Sequence, residues 1–220
     1  MKNQKISDEL LSRLREQIFS LVEKGKYQKA LRLAEQNLAK FGKHRVLLHS
    51  YASLLGDYAE FTSDEKKMKL MACEIYRPLL KSLNGLNEDY KHAIRNEYYY
   101  HSYQFKKQYQ LGQKCKKVAK TKRLYSMGVG AANYAYQLRS RGEIKRSQSW
   151  AREAIDIWKK YLAISNKYYN PYVHLSLANG IVGDEKSMEV NLLKASKISG
   201  QPLRFREFQE VRDKISNLKS

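Results

Sequence analysis

Apolar and small side chains recur along this chain in steps of three and four, the spacing of one stripe on a helix. One set of steps, three then four then three, returns several times. GKYQKALRLAEQNL carries Tyr27, Ala30, Ala34 and Asn37, and QYQLGQKCKKVA carries Tyr109, Gly112, Lys116 and Ala119. GEIKRSQSWAREA carries Ile144, Ser147, Ala151 and Ala154, and GDEKSMEVNLLKA carries Glu185, Met188, Leu192 and Ala195. Small residues on such a stripe let a neighbouring helix come close. Gly25, Gly142 and Gly183 each stand two residues before a stripe, where a short turn must separate two helices.

A second helical pattern precedes each stripe. Leu14, Ile18 and Leu21 precede the first, Tyr99, Tyr100 and Tyr103 the one at Tyr109, Ala131, Tyr134, Ala135 and Leu138 the one at Ile144, and Tyr172, Leu175 and Ser176 the last. A further pair fits residues 44–84. Its first helix carries Leu48, Tyr51, Ala52 and Leu55, its second Ala72, Tyr76 and Leu79. The offset between them predicts an insertion or lengthened hairpin near Gly56–Met68, and Pro78 should kink the second helix. The pattern therefore predicts five helix–turn–helix units, at about 8–43, 44–84, 88–123, 124–168 and 170–200, within an array spanning 1–202. Residues 203–220 follow as one amphipathic helix, with Leu203, Phe208, Val211, Ile215 and Leu218 on its apolar side. A stacked array leaves its last apolar face open, so this helix reads as a cap.

These units resemble tetratricopeptide repeats. The resemblance rests on the small residues, the glycine before an aromatic or Ile, and the 3-4-3 stripe. It implies an all-α fold, a solenoid of about five hairpins with a right-handed superhelical groove. The stripes start at 27, 69, 109, 144 and 185, in steps of 42, 40, 35 and 41. Those steps exceed the roughly 34 residues of the family and also suit HEAT-like helical pairs. The third unit lacks a turn glycine. In the family the first helix of each unit lines a concave groove that takes a peptide. The resemblance thus implies groove positions at Arg15 and Phe19, His101 and Gln104, and Tyr136 and Arg139. Arginines there would hold carboxylates, with Phe19 and Tyr136 as anchors. The Lys and Asn clamp of chaperone-tail-binding members is not matched: Asn133 stands alone, and the fifth unit offers Val173 and Leu177.

Composition bounds the function. The chain has 220 residues, 42% hydrophobic, with 42 Lys or Arg against 22 Asp or Glu, a net charge of +20. Such an excess favours acidic or phosphate-bearing partners. No apolar stretch approaches the roughly 20 residues of a membrane span, and the first residues, MKNQKISDELLSRL, show no secretory h-region. Two cysteines, Cys73 and Cys115, make no disulfide framework, which fits a cytoplasmic protein.

Charge is concentrated. Residues 98–146 hold Lys106, Lys107, Lys114, Lys116, Lys117, Lys120, Lys122, Arg123, Arg139, Arg141, Lys145 and Arg146 against Glu143 alone. Nine aromatic residues lie among them, from Tyr98 to Tyr136. Lysines attract phosphates and tyrosine rings can stack on bases. The same pattern is equally that of a solvated lysine face over tyrosines packed in a core. Zinc-finger spacing, RNP motifs and a recognition helix are absent. Catalytic and metal-binding motifs are absent too: the five histidines form no HExxH, and Gly128-Val-Gly130 follows no strand, so its glycines read as helix packing. The expectation is a non-catalytic, cofactor-free scaffold or adaptor that holds an acidic or amphipathic segment of another protein. The alternative is a nucleic-acid-associated protein using the basic 98–146 surface.

Overall fold

The computed structural model describes residues 6–24, 26–59, 62, 64–202 and 206–218, and among them every regular element is an α-helix. The chain divides into two compact units, Met1–Tyr103 and Gln104–Ser220. The first holds α1 (Asp8–Glu23), α2 (Tyr27–Phe41), α3 (Arg45–Ala59), α4 (Glu65–Lys81) and α5 (Glu88–His101). The second holds α6 (Phe105–Lys114), α7 (Lys120–Arg139), α8 (Ile144–Leu162), α9 (Asn170–Val182), α10 (Glu185–Ser199) and α11 (Arg206–Ser216).

In the first unit each helix packs on the next, and α3 also meets α1 and α5. The Ser7 side chain caps α1 by accepting from the Leu10 N–H at 3.2 Å, and Asn87 caps α5 through the Tyr90 N–H at 2.8 Å. Leu11 and Leu14 of α1 bury against Leu47 of α3, while Ile18 meets Ala30, Ala34 and Leu54. A larger core joins α3, α4 and α5 through Ala52, Leu55, Ala72, Tyr76, Leu79 and Ile94.

The second unit is built on close helix approach. α6 packs on α7, α7 on α8 and α9, α9 on α8, α10 and α11. Gly130 of α7 lies so near α6 that a Cβ there would stand 2.6 Å from the Tyr109 nitrogen and 2.8 Å from the Phe105 carbonyl oxygen. The Gly128–Gly130 segment is thus helix packing, as expected. Trp158 of α8 is fully buried between Tyr125 of α7, Tyr161, and His174 of α9. Burying an aromatic of this size removes roughly 150–250 Å² from water, an upper estimate of about 4–6 kcal/mol. α11 closes the unit: Phe208, Val211 and Ile215 are buried, Ile215 against Gly180 of α9, and Arg212 holds Glu189 of α10 through two bonds of 2.7 and 2.9 Å.

The structure corrects the expected register of the third unit. The second helices start at Tyr27, Glu65, Phe105, Ile144 and Glu185, in steps of 38, 40, 39 and 41. The stripe expected at 109 is therefore one helical turn late, while Lys69, Ala72, Tyr76 and Leu79 are all buried in α4 as expected. In α6 the buried 3-4 stripe is Phe105, Gln108 and Gly112, while Lys116 and Ala119 lie beyond its end and are exposed. No long insertion separates α3 from α4, which are joined by residues 60–64, and Gly56 lies inside α3 against the His101 ring. α4 runs through Pro78, which is exposed in its last turn.

Gly142 and Gly183 adopt φ of 77° and 89° two residues before α8 and α10, and Gly25 falls outside the described residues. Tyr103, two residues before α6, takes that left-handed conformation with φ 56°. A side chain there costs roughly 1–2 kcal/mol, offset by a hydrogen bond from its hydroxyl to Glu65 at 3.2 Å and by Lys69 Nζ at 5.1 Å over its ring. The span 88–123, expected as one pair, is divided by the boundary after Tyr103: α5 packs on α4 and α6 on α7. Of the expected cap residues, Leu203 lies outside the described residues.

Candidate partner-binding site

Arg15 and Phe19 are four residues apart on α1, both exposed on the flank of the stripe buried through Leu11, Leu14 and Ile18. Phe19 is 63% exposed, matched only by Tyr168 among the large exposed hydrophobic side chains of the described residues. The charges of Arg15 and of Arg45, at the start of α3, both act on the hydroxyl of Tyr90 on α5. Arg45 is itself fixed, Nη1 donating to the carbonyls of Ser82 and Asn84 at 2.8 and 3.0 Å.

Beneath these cations runs a chain of polar contacts that the sequence did not announce. The Tyr90 hydroxyl is 3.0 Å from His49 Nδ1, and His49 Nε2 is 3.2 Å from Glu97 Oε2. The Tyr76 hydroxyl donates to the same carboxylate in a short contact. With Glu97 ionised, the His49 Nε2–H donates to it. Burial works against the Glu97 charge, but His49, the Tyr76 hydroxyl and His101 outweigh it and hold the carboxyl at about 2. Burial pushes Tyr90 up to about 12 and, with Glu97, raises Tyr76 well above the usual phenol range. A carboxylate so held ties α3, α4 and α5 together and has no proton to give at neutral pH.

The other expected groove residues are placed differently. His101 is 2% exposed, its ring stacked on Tyr76 at 6.1 Å, so it presents no surface to a partner. Gln104, in the second unit, is the half-buried N-cap residue of α6. Tyr136 and Arg139 are half-buried near the end of α7, with Lys214 Nζ 5.8 Å from the centre of the Tyr136 ring. Lys69 is buried, 2.8 Å from Glu65 and over the rings of Tyr100 and Tyr103.

The basic surface resolves into two groups. Lys106 and Lys107 are exposed at the start of α6. Lys114, Lys116, Lys117, Lys120 and Lys122 are exposed around the connection from α6 to α7. Arg123 is half-buried and structural, Nε donating to the Gly112 carbonyl at 3.0 Å. Arg139 lies nineteen residues beyond Lys120 on α7, roughly 28 Å at 1.5 Å per residue. The connection lysines do not converge with it. The tyrosines among them are packing residues: Tyr109 and Tyr134 meet the Trp150 ring edge-on at 4.8 and 5.1 Å, and Tyr109 donates to Glu153 at 2.9 Å.

Among the described residues no helix is long and apolar enough to cross a membrane, and no group of three His, Cys, Asp or Glu is placed to hold a metal ion. No protein-family model matches the chain, and no curated protein matches it.

Proposed function

We propose that this protein is a non-catalytic, tetratricopeptide-like scaffold or adaptor, working in the cytoplasm, that binds an acidic or amphipathic segment of another protein. The observation that carries the reading is the α1 face of the first unit, where Phe19 stands 63% exposed one turn from Arg15. An aromatic anchor beside a cation suits a helix that alternates apolar and acidic side chains. Regularly spaced second helices support the repeat reading. Both cysteines are free, Cys73 buried and Cys115 half-buried, as suits a reducing compartment. Net charge adds steering, so association is fast and falls with salt.

The test is fluorescence anisotropy with a panel of labelled helical peptides that combine glutamates with one or two Leu or Trp anchors. Binders should lose about tenfold or more on Phe19→Ala and on Arg15→Glu, with unchanged thermal melts because both side chains are exposed. Equal affinity of wild type and variants across the panel would overturn the reading.

A further inference from the structure

We propose that the lysine-bearing connection between α6 and α7 binds the phosphodiester backbone of a nucleic-acid duplex, by charge and without reading bases. This surface lies in the second unit and goes beyond the α1 face of the first. Between Glu97 and Glu143 the sequence holds ten Lys or Arg and no acidic residue. Four of those cations, Lys114, Lys116, Lys117 and Lys120, fall within seven residues and are all exposed. None of the four forms an ion pair among the described residues. A stretch so short spans at most about 21 Å. Over that length a duplex presents roughly a dozen phosphate charges, so four separate contacts can form at once.

The cluster is also held in place. Val118, in the middle of the connection, is 4% exposed, and its N–H donates to the Cys115 carbonyl at 3.0 Å. The Cys115 N–H returns to Leu111 at 3.1 Å, and Arg123 reaches back to the Gly112 carbonyl. The lysines thus project from an ordered turn, and less freedom is lost on binding than in a loose tail.

What the surface lacks selects the partner. None of the large exposed hydrophobic side chains lies between residues 104 and 143. A peptide would find no pocket for an anchor there, and a lipid surface would receive no apolar insertion. The tyrosines nearby are engaged with Trp150 and Trp158, so they offer no platform for unstacked bases. Phosphate contact alone remains, the term that gives sequence-independent duplex binding.

The experiment is anisotropy of the full chain with a fluorescein-labelled 30-base-pair DNA duplex of arbitrary sequence and its RNA counterpart, at 50–200 mM salt. Two quadruple variants are compared, Lys114/Lys116/Lys117/Lys120→Gln and a control of equal charge, Lys159/Lys160/Lys186/Lys194→Gln. Wild type should bind a duplex and lose affinity with a log–log salt slope of about −3.6 or steeper, roughly 100-fold across that range. The first variant should flatten the slope by about 3 to 4, and the control should leave most of it. Should circular dichroism show the first variant unfolded, Lys116→Gln with Lys117→Gln should remove about half of the slope. No binding to either duplex at 50 mM salt overturns the proposal, as do equal effects of the two quadruple variants. Tighter binding to poly-glutamate or to vesicles containing phosphatidylserine than to either duplex overturns it too. Failure here leaves the Phe19 and Arg15 peptide result untouched.

Discussion

Ser147 of α8 donates its hydroxyl to the main-chain carbonyl of Ala135 in α7 at 2.7 Å, with both residues fully buried. Twelve residues separate them across the turn. The next pair repeats the relationship with donor and acceptor exchanged: Ser176 of α9 donates to the Met188 carbonyl of α10 at 3.0 Å, again twelve residues apart. Ser147 and Met188 are both the fourth residue of their helices. Each pair therefore places one hydroxyl at the same crossing, reaching the opposite helix from one side or the other.

That equivalence makes a specific prediction. Ser147→Ala should destabilise the second unit by about 1 kcal/mol, the usual net worth of such a bond. Adding Ala135→Ser should recover most of it, because the new hydroxyl on α7 would then occupy the place Ser176 holds in the following pair. Both tryptophans, Trp150 and Trp158, are in α8, so urea melts followed by tryptophan emission report this unit directly. No recovery in the double variant would show that the two crossings are not interchangeable.

Gly130→Ala separates propensity from packing. In an open helix the change gains up to about 1 kcal/mol. Here the added methyl would meet the Tyr109 nitrogen and the Phe105 carbonyl oxygen at 2.6 and 2.8 Å, backbone atoms with no rotamer to change. A net loss of about 1–3 kcal/mol is expected in the same melts.

Such crossings explain why the fold was more legible than the site. Ala30, Ala34, Ala151 and Ala154 are local signals, small residues at helical spacing within a few turns, and they fixed α2 and α8 directly. The stripe at Tyr109 slipped by one turn because Phe105, Gln108 and Gly112 satisfy the same steps, and Tyr103 stands where other turns have glycine. The division after Tyr103 was invisible, since it depends on which neighbours α5 and α6 pack against. His49, Tyr76, Tyr90 and Glu97 come together from separations of 21 to 48 residues, and no local pattern announces that. Arg15 and Phe19 rest on the repeat resemblance, which puts first-helix positions in a groove, and both are exposed on α1.

The Glu97 cluster should make the first unit acid-sensitive. Its folded carboxyl lies at about 2, below the ordinary value of 4.5. The unfolded chain therefore binds a proton first, and the stabilisation, up to about 3 kcal/mol, is complete above pH 5 and lost as pH falls toward 2. Glu97→Gln should remove that slope and cost stability at pH 7. Far-UV circular dichroism of urea melts at pH 7, 4 and 3 reads it, with tryptophan emission following the second unit separately.

His174 gives the second unit a different window. Burial, then the charge of Lys214, lowers its imidazole to about 4 against 6.5 when unfolded. Its ring lies parallel to that of Trp158 at 5.7 Å. The unfolded state takes up the proton first, so stability is full above pH 6.5 and falls by about 1–3 kcal/mol toward pH 4. His174→Phe should flatten tryptophan-detected stability between those values. A slope that persists would assign the acid sensitivity to other groups.

Lys120 occupies the first turn of α7, where a cation opposes the helix dipole, and that helix has no acidic residue in its first turn. By contrast α5 begins with Glu88 and Asp89, and α10 with Glu185. Lys120→Glu should therefore stabilise the second unit by about 0.3–1 kcal/mol, and further through relief of repulsion from Lys116 and Lys117. Urea melts at 50 and 500 mM salt test it, the gain shrinking at high salt as screening removes both effects. A stabilising change that also weakens duplex binding would mean the lysines are kept at a cost to the fold, which is how a binding surface differs from a merely solvated one. Unchanged or reduced stability at 50 mM salt would remove that cost, and with it the reason to regard this run of cations as selected against folding.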